Sequence, residues 1–283
     1  MNKISVAIFI FFFVLINLKA QYLAPRETPI DKYEILDSAY IEFSYELHYL
    51  KDTTKSKNVS EDIKVLQIGK HISKFYSYYV LKYDSVIQEL IKKGNDFVPN
   101  NPKSGAQGYE IFKNYPNGKL TYTDKGTCLF DNFIYEEDVP VFKWKLISDK
   151  VMLLDHPCQK ATTSFRGRDY EAWFAADIPI PDGPWKFSGL PGLILKVQDV
   201  QQNFIFECIS IHPLKAIKTP ILFYKIDYLK TKREDLAKLY QRYHNDPTGY
   251  NESLGKKLMF MGKDGQPKVN RSFKFPYNPI ELE

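Results

Sequence analysis

His156-Pro157-Cys158 places two soft metal ligands two positions apart. On a strand they would share a face, and imidazole with thiol suits copper or zinc. Such a site needs a further ligand, for which Cys128, Cys208 and His212 are candidates. The plainer reading of Cys158 is a small buried thiol or half of a disulfide. Arg166, Arg168 and Asp169 crowd one short stretch, where arginine forks could hold an anion or a partner's carboxylate. A solvated turn with a local ion pair explains them as well. Asp177, Asp182 and Asp199 could do acid–base work in pairs. Aspartate among prolines and glycines is more often a turn former. Phe75-Tyr76 with Tyr78, Tyr79 and Tyr83, and the pair Trp173 and Trp185, offer ring faces for a sugar or peptide. Strand aromatics also simply pack cores. Among these groups, Trp173, Trp185, Tyr76, Arg166 and Arg168 are the candidate ligand-binding residues, beside a stiff turn.

Several reaction signatures are absent. There is no His-Glu-x-x-His, no Walker loop, no Gly-x-Ser-x-Gly elbow and no Cys-x-x-Cys. No catalytic residue is therefore assigned, and no cofactor is expected. A hydrolase with a dispersed site, and a metal or redox protein using His156 and Cys158, stand as alternatives to a binding protein.

The elements that would position these residues are mostly strands. Ile41, Phe43, Tyr45, Leu47 and Tyr49 alternate with polar residues, the pattern of a half-buried strand. Strands are expected at 63–68 and 73–80, with Gly69-Lys70 turning between them. Ser85 and Gln88 in capping-box spacing start an expected helix, and Gly94 ends it. Residues 95–108 read as a long loop. Asn117-Gly118 signals a hairpin between 109–115 and 119–123. Strands follow at 128–135 and 142–147. Arg166-Gly167-Arg168 turns 161–165 into 170–174, and 193–200 pairs with 204–211. A second helix is expected from Thr231, capped with Glu234, with Leu236, Leu239, Tyr240 and Tyr243 as its apolar stripe. Residues 245–249 should end it, and the basic tail from Gly262 should be mobile in part. The expected fold is mainly β with a few helices (α+β): an antiparallel meander forming a curved sheet or half-barrel.

The N-terminus speaks of export. Lys3 precedes an apolar run from Ile4 to Asn17, and Ala20 stands at a cleavage point. That is the pattern of a secretory signal peptide over residues 1–20. The run is shorter than the ~20 residues a spanning helix needs. No transmembrane segment is expected after its removal. Residues 21–37 should form a loose arm, and 38–283 a single β-rich domain. Removing residues 1–20 takes away two lysines and no acid, so the net charge falls from +5 to +3. The lysines are dispersed, which argues against a nucleic-acid partner. The 20 Tyr and 20 Phe lean the chain towards β structure. Cys128, Cys158 and Cys208 allow one disulfide at most, in an oxidising compartment.

Gly183-Pro184-Trp185 and Gly189-Leu190-Pro191-Gly192-Leu193-Ile194 combine stiff and permissive residues directly before an apolar run. Proline sets φ and glycine opens positive φ, so the chain must turn sharply and then enter something buried. The hexapeptide Gly189–Ile194 is read as a structural turn. With Cys158-Gln159-Lys160-Ala161, Phe165–Arg168, Tyr170, Ala172-Trp173 and Ile178-Pro179, it resembles the central block of the GLPGLI family. Gln67-Ile68-Gly69 with Ser73–Ser77, and the ending Tyr277–Leu282, are similar to that family's N- and C-terminal signatures. The resemblance implies a Bacteroidetes exported protein, a β-rich fold, and a place in the periplasm or cell envelope. It implies no active site. The partner it leaves in view is an apolar small molecule or an outer-membrane protein.

Overall fold

The structure, a computed structural model, describes residues 32–55, 58–94, 103–125, 131–214, 219–261, 265–269 and 273–283. The signal-peptide stretch and Cys128 lie outside the described residues. Cys158 and Cys208 are buried free thiols. No helix among the described residues is long and apolar enough to cross a membrane.

The chain begins with β1 (Tyr33–Ala39) and β2 (Ile41–Leu50), then β3 (Val59–Ile68), β4 (Ser73–Ser77) and helix α1 (Tyr78–Lys92). Next come β5 (Tyr109–Lys113), β6 (Lys119–Asp124), β7 (Asn132–Asp138), β8 (Lys145–Leu153), β9 (His156–Phe165) and β10 (Arg168–Ala175). After a long loop follow β11 (Leu193–Asp199), β12 (Phe204–Pro213), β13 (Thr219–Tyr224) and β14 (Tyr228–Lys230). Helices α2 (Arg233–Asn245) and α3 (Pro247–Ser253) and the short strands β15 (Phe260–Met261) and β16 (Pro267–Lys268) complete it.

Two antiparallel meanders, β2–β7 and β8–β12, join through the β2–β12 pair into one 12-stranded sheet. Only β14 adds parallel, beside β7. The expected β-rich, antiparallel fold is what forms, and the sheet is open rather than closed into a barrel. It curls strongly. Strands β4 and β12 are three places apart, yet Phe75 and Phe206 meet with ring centroids 6.2 Å apart. The small sheet β1–β13 covers part of the other face, where Phe223 packs on Phe112 and Lys74 Nζ donates to Leu222 O at 2.9 Å.

The concave face is filled by the chain itself. The loop between β10 and β11 crosses it and buries Trp185, Phe187 and Leu190. Lys113 of β5 reaches over to pair with Asp182 and donates to Gly183 O and Phe187 O at 2.8 and 2.9 Å. Tyr45 OH donates to Ile194 O at 2.8 Å. Gly189 sits at φ +87, and Leu190, Leu193 and Ile194 are all buried. The chain thus turns at the positive φ of Gly189 and enters the core directly afterwards.

Four local expectations need correction. Strand β1 begins at Tyr33, inside the segment read as an arm. The aromatic strand stops at Ser77, and Tyr78 and Tyr79 belong to α1. Ser77 Oγ accepts from Val80 N and also donates to Asp62 of β3, so a tertiary bond places the cap there instead of at Ser85. Phe142 and Trp144 precede β8 and pack on Phe187. At 245–249 helix α2 does end, at Asn245, and Asp246 then caps the short α3 by accepting from Gly249 N at 2.8 Å. Within the tail, expected to be mobile in part, Phe273 to Glu283 are docked, because their polar groups find partners on β10, α2 and the hairpin tip.

Candidate functional site

An aromatic cleft of about 430 Å³ opens at one end of the concave face. Its floor comes from four strands that all lie inside the sheet. Alternate residues of a strand share a face. Tyr49 of β2, Tyr109 of β5, Tyr122 and Asp124 of β6, and Phe204 and Phe206 of β12 thus point the same way. Tyr49 and Phe204 are stacked at 6.2 Å and 9°. Tyr109 and Tyr122 are stacked at 5.6 Å, and Tyr122 continues onto Tyr135 at 4.7 Å. One wall is α2, which offers Tyr240 and His244, and Tyr240 OH donates to Asp124.

Loop 103–108 forms the opposite wall, held down by a buried ion pair. Asp62 and Lys64 are both fully buried and lie 3.1 Å apart. Gln107 N donates to Asp62 Oδ2 at 3.0 Å, and Lys64 Nζ donates to Gln107 O at 3.0 Å. Tyr49 OH donates to Gly105 O at 2.9 Å. Lys64 Nζ also lies 3.8 Å from the Tyr109 ring centroid, a cation–π contact. Burial pulls the Lys64 ammonium below its ordinary pKa, although Asp62 opposes the shift.

The tail closes the third side. Arg168 donates to Asn278 Oδ1 and Pro279 O at 2.6 and 2.7 Å, and Tyr170 OH to Ile280 O at 3.0 Å. Glu281 enters a cluster with Lys186, Arg166 and Arg233 at 2.5, 2.7 and 3.1 Å. Glu137 shares these cations, and Lys186 is almost wholly buried.

None of Trp173, Trp185, Tyr76, Arg166 and Arg168 lines the cleft. Trp185 is 2% exposed and packs the core, with Phe187 at 5.1 Å between centroids. Tyr76 is 7% exposed, on the face opposite to the cleft floor, with Lys74 Nζ 5.1 Å from its ring. Trp173 is half-buried, with Lys160 and Lys196 over its ring. The two arginines bind carboxylates of their own chain: Arg166 takes Glu137 and Glu281, and Arg168 takes Asp199 at 3.0 Å. Their connection to the cleft is indirect, through the tail they anchor.

The other sequence candidates are scattered. His156 Nδ1 lies 2.7 Å from Asp177 Oδ2. Cys158 is buried, its thiol bonds weakly to His156 O, and burial pushes its pKa up to about 11. Burial likewise pushes Cys208 up to about 12, so neither thiol is a ready nucleophile. Among the described residues no group of three or more His, Cys, Asp or Glu could hold a metal ion. Asp182 serves Lys113 and Ser73, and Asp199 serves Arg168 and Phe204 N.

Burial, and then the charges of Asp62 and Asp124, raise the Tyr109 phenol well above its ordinary pKa. Burial and Asp124 do the same to Tyr122. These phenols stay protonated and act as hydrogen-bond donors rather than nucleophiles. The cleft can therefore hold flat apolar surface against rings and hydrogen-bond the edges of whatever lies there. The signals for it were present piecemeal, in the alternation of β2 and the stripe of α2. Nothing local says that they converge.

His244 makes the wall pH-sensitive. Its Nδ1 lies 2.8 Å from Pro276 O, and burial lowers its pKa from the ordinary 6.5, with hydrogen bonds opposing. The unfolded chain then binds more protons than the folded one just below that value, so stability must fall as pH drops through it. Melting temperatures should fall more steeply from about pH 7.5 to about pH 5 in the wild type than in His244→Gln. Parallel curves would refute the assignment.

No curated protein matches the chain. A family model described as "Protein of unknown function (Porph_ging)" matches residues 159–196, from β9 through β10 and the crossing loop into β11. Solved structures similar to the chain include two titled as PNGF-II, in the P21 and C2 space groups. The first is 12% identical with a TM-score of 0.45, over 74% of this chain and 34% of that one. The second is 14% identical with a TM-score of 0.41, over 70% of this chain and 31% of that one. The chain thus spans about a third of the length of these structures.

Proposed function

We propose that this chain is an exported cell-envelope protein of the GLPGLI type that binds a ligand non-enzymatically in the aromatic cleft. The cleft carries the reading: it gathers rings and donors from four strands, a helix, a loop and the tail. The N-terminal charged and apolar pattern supports export, and with it a periplasmic or envelope location. The match to a family of unknown function is consistent with this and assigns no activity. An outer-membrane protein partner is the second reading. The edge strand β8 favours it, since Leu146, Val151 and Met152 are exposed there.

Native mass spectrometry of the mature protein from a periplasm tests the first reading. Excess mass is expected that disappears on denaturation and is reduced in Tyr240→Ala and Tyr277→Ala. A bare native mass, unchanged across small-molecule extracts of the same envelope, would reject the cleft as a ligand site.

A further inference from the structure

Resting on the cleft as a ligand site, we infer that its ligand is a saccharide, bound with the C–H face of a pyranose against the exposed wall ring of Tyr277. Three ligand classes could use rings, and the details of the walls separate them.

A peptide would need main-chain partners. The floor is a sheet face, and each of β2, β5, β6 and β12 already has a strand on both sides, so no edge is available for strand addition. The carbonyls of the walls are also engaged. Gly105 O accepts from Tyr49, Gln107 O from Lys64, Pro279 O from Arg168 and Ile280 O from Tyr170. Pro276 O is bound to His244. An incoming backbone would bury amides with few acceptors left to meet them, and an unmet buried donor is costly.

An alkyl chain fails for the opposite reason. Phenols of Tyr109, Tyr122 and Tyr240 and the carboxylate of Asp124 line the cleft, and Lys51 and Lys103 stand at its edge. Covering them with methylenes would desolvate polar groups without replacing their bonds.

A pyranose has the complementary make-up. One face is C–H and lies on rings. The rim is hydroxyl, both donor and acceptor, and meets phenol donors and a carboxylate acceptor. The floor rings stack on one another, but Tyr277 lines the cleft while 36% exposed, with His244 stacked on it at 4.6 Å, and so offers an open ring face of the required kind. The volume of about 430 Å³ falls in the range of small-molecule sites and suits one or two sugar rings.

The test is saturation-transfer NMR on the full mature protein. The probes are the methyl glycosides of glucose, galactose, mannose, N-acetylglucosamine and glucuronic acid, with a proline-rich peptide and decanoate as rival classes. At least one glycoside should show saturation concentrated on ring C–H protons. Its affinity should fall about tenfold in Tyr277→Ala, which removes a wall ring that is already partly exposed, and in Tyr240→Phe, while Trp173→Ala leaves it unchanged. If only the peptide or decanoate binds, and the same two variants weaken it, the cleft stands as a ligand site and the saccharide class is overturned. If no probe binds and the native mass is also bare, both readings fall together.

Discussion

Gly192→Val should remove a large part of the stability of the native fold. A Cβ at Gly192 would stand 2.1 Å from Ala175 O, 2.7 Å from Ala175 C and 2.8 Å from Ala176 Cα. All three are backbone atoms, at the point where β10 hands over to the crossing loop. A flexible side chain could swing aside, but a peptide carbonyl cannot move without disturbing the β10–β11 ladder that begins at Ala175↔Leu193. Leu193 and Ile194 follow directly and are fully buried, so the displacement would reach the core. Overpacking of side chains costs about 1–3 kcal/mol, and a backbone clash belongs at or above the top of that range. Against a net stability of about 5–15 kcal/mol, this is a large fraction of the margin. Gly189→Ala is the control. It carries the same type of change at φ +87 with open space around the new Cβ, so only backbone strain of about 1–2 kcal/mol applies. Urea unfolding of both variants checks the order. Equal midpoints, or a Gly192→Val midpoint at the wild-type value, would refute the close-packing account.

Asp62→Ala should cost about 3–5 kcal/mol, because it leaves Lys64 wholly buried beside an absent partner. The lysine must then shed its proton or stay charged without its anion, and Ser77 Oγ and Gln107 N lose an acceptor as well. The effect has two separable parts. Stability depends on the uncompensated charge, whereas the cleft wall depends on the bonds to Gln107. The double variant Asp62→Ala with Lys64→Met removes both charges, so it should recover most of the lost stability. It should still fail to hold loop 103–108, because neither bond to Gln107 is restored. Hydrogen exchange at that loop, measured beside urea midpoints, distinguishes the two. Full protection of the loop in the double variant would show that Tyr49 and its bond to Gly105 O suffice to hold the wall.

Some of this protein is legible in its sequence for a simple physical reason: local rules act on neighbours. The alternation of Ile41 to Tyr49 fixes which side of β2 is buried, and that prediction holds residue by residue from Phe43 to Tyr49. The Arg166-Gly167 turn, with φ of +44 and +78, joins β9 to β10 where a glycine permits it. Gly189 and Pro191 show that the chain bends before a buried run.

Other features depend on groups far apart in the chain. Ser77 rather than Ser85 caps α1 because Asp62, 15 residues earlier, takes its hydroxyl. The tail reads as mobile by composition, yet Glu281 meets Lys186, Arg166 and Arg233, which no window of sequence brings together. Trp185 and Tyr76 look like surface rings and are buried, while Tyr49, Tyr109, Tyr122 and Tyr240 look like packing residues and line a cleft. By itself the sequence determined that this chain builds strands, where it turns, and which face of each strand is apolar, since backbone dihedrals and side-chain alternation are set within a few residues. Only the tertiary structure decided which apolar face stays open. That depends on how far the sheet curls and on which loop fills the concavity, and both are set by contacts between residues remote in sequence.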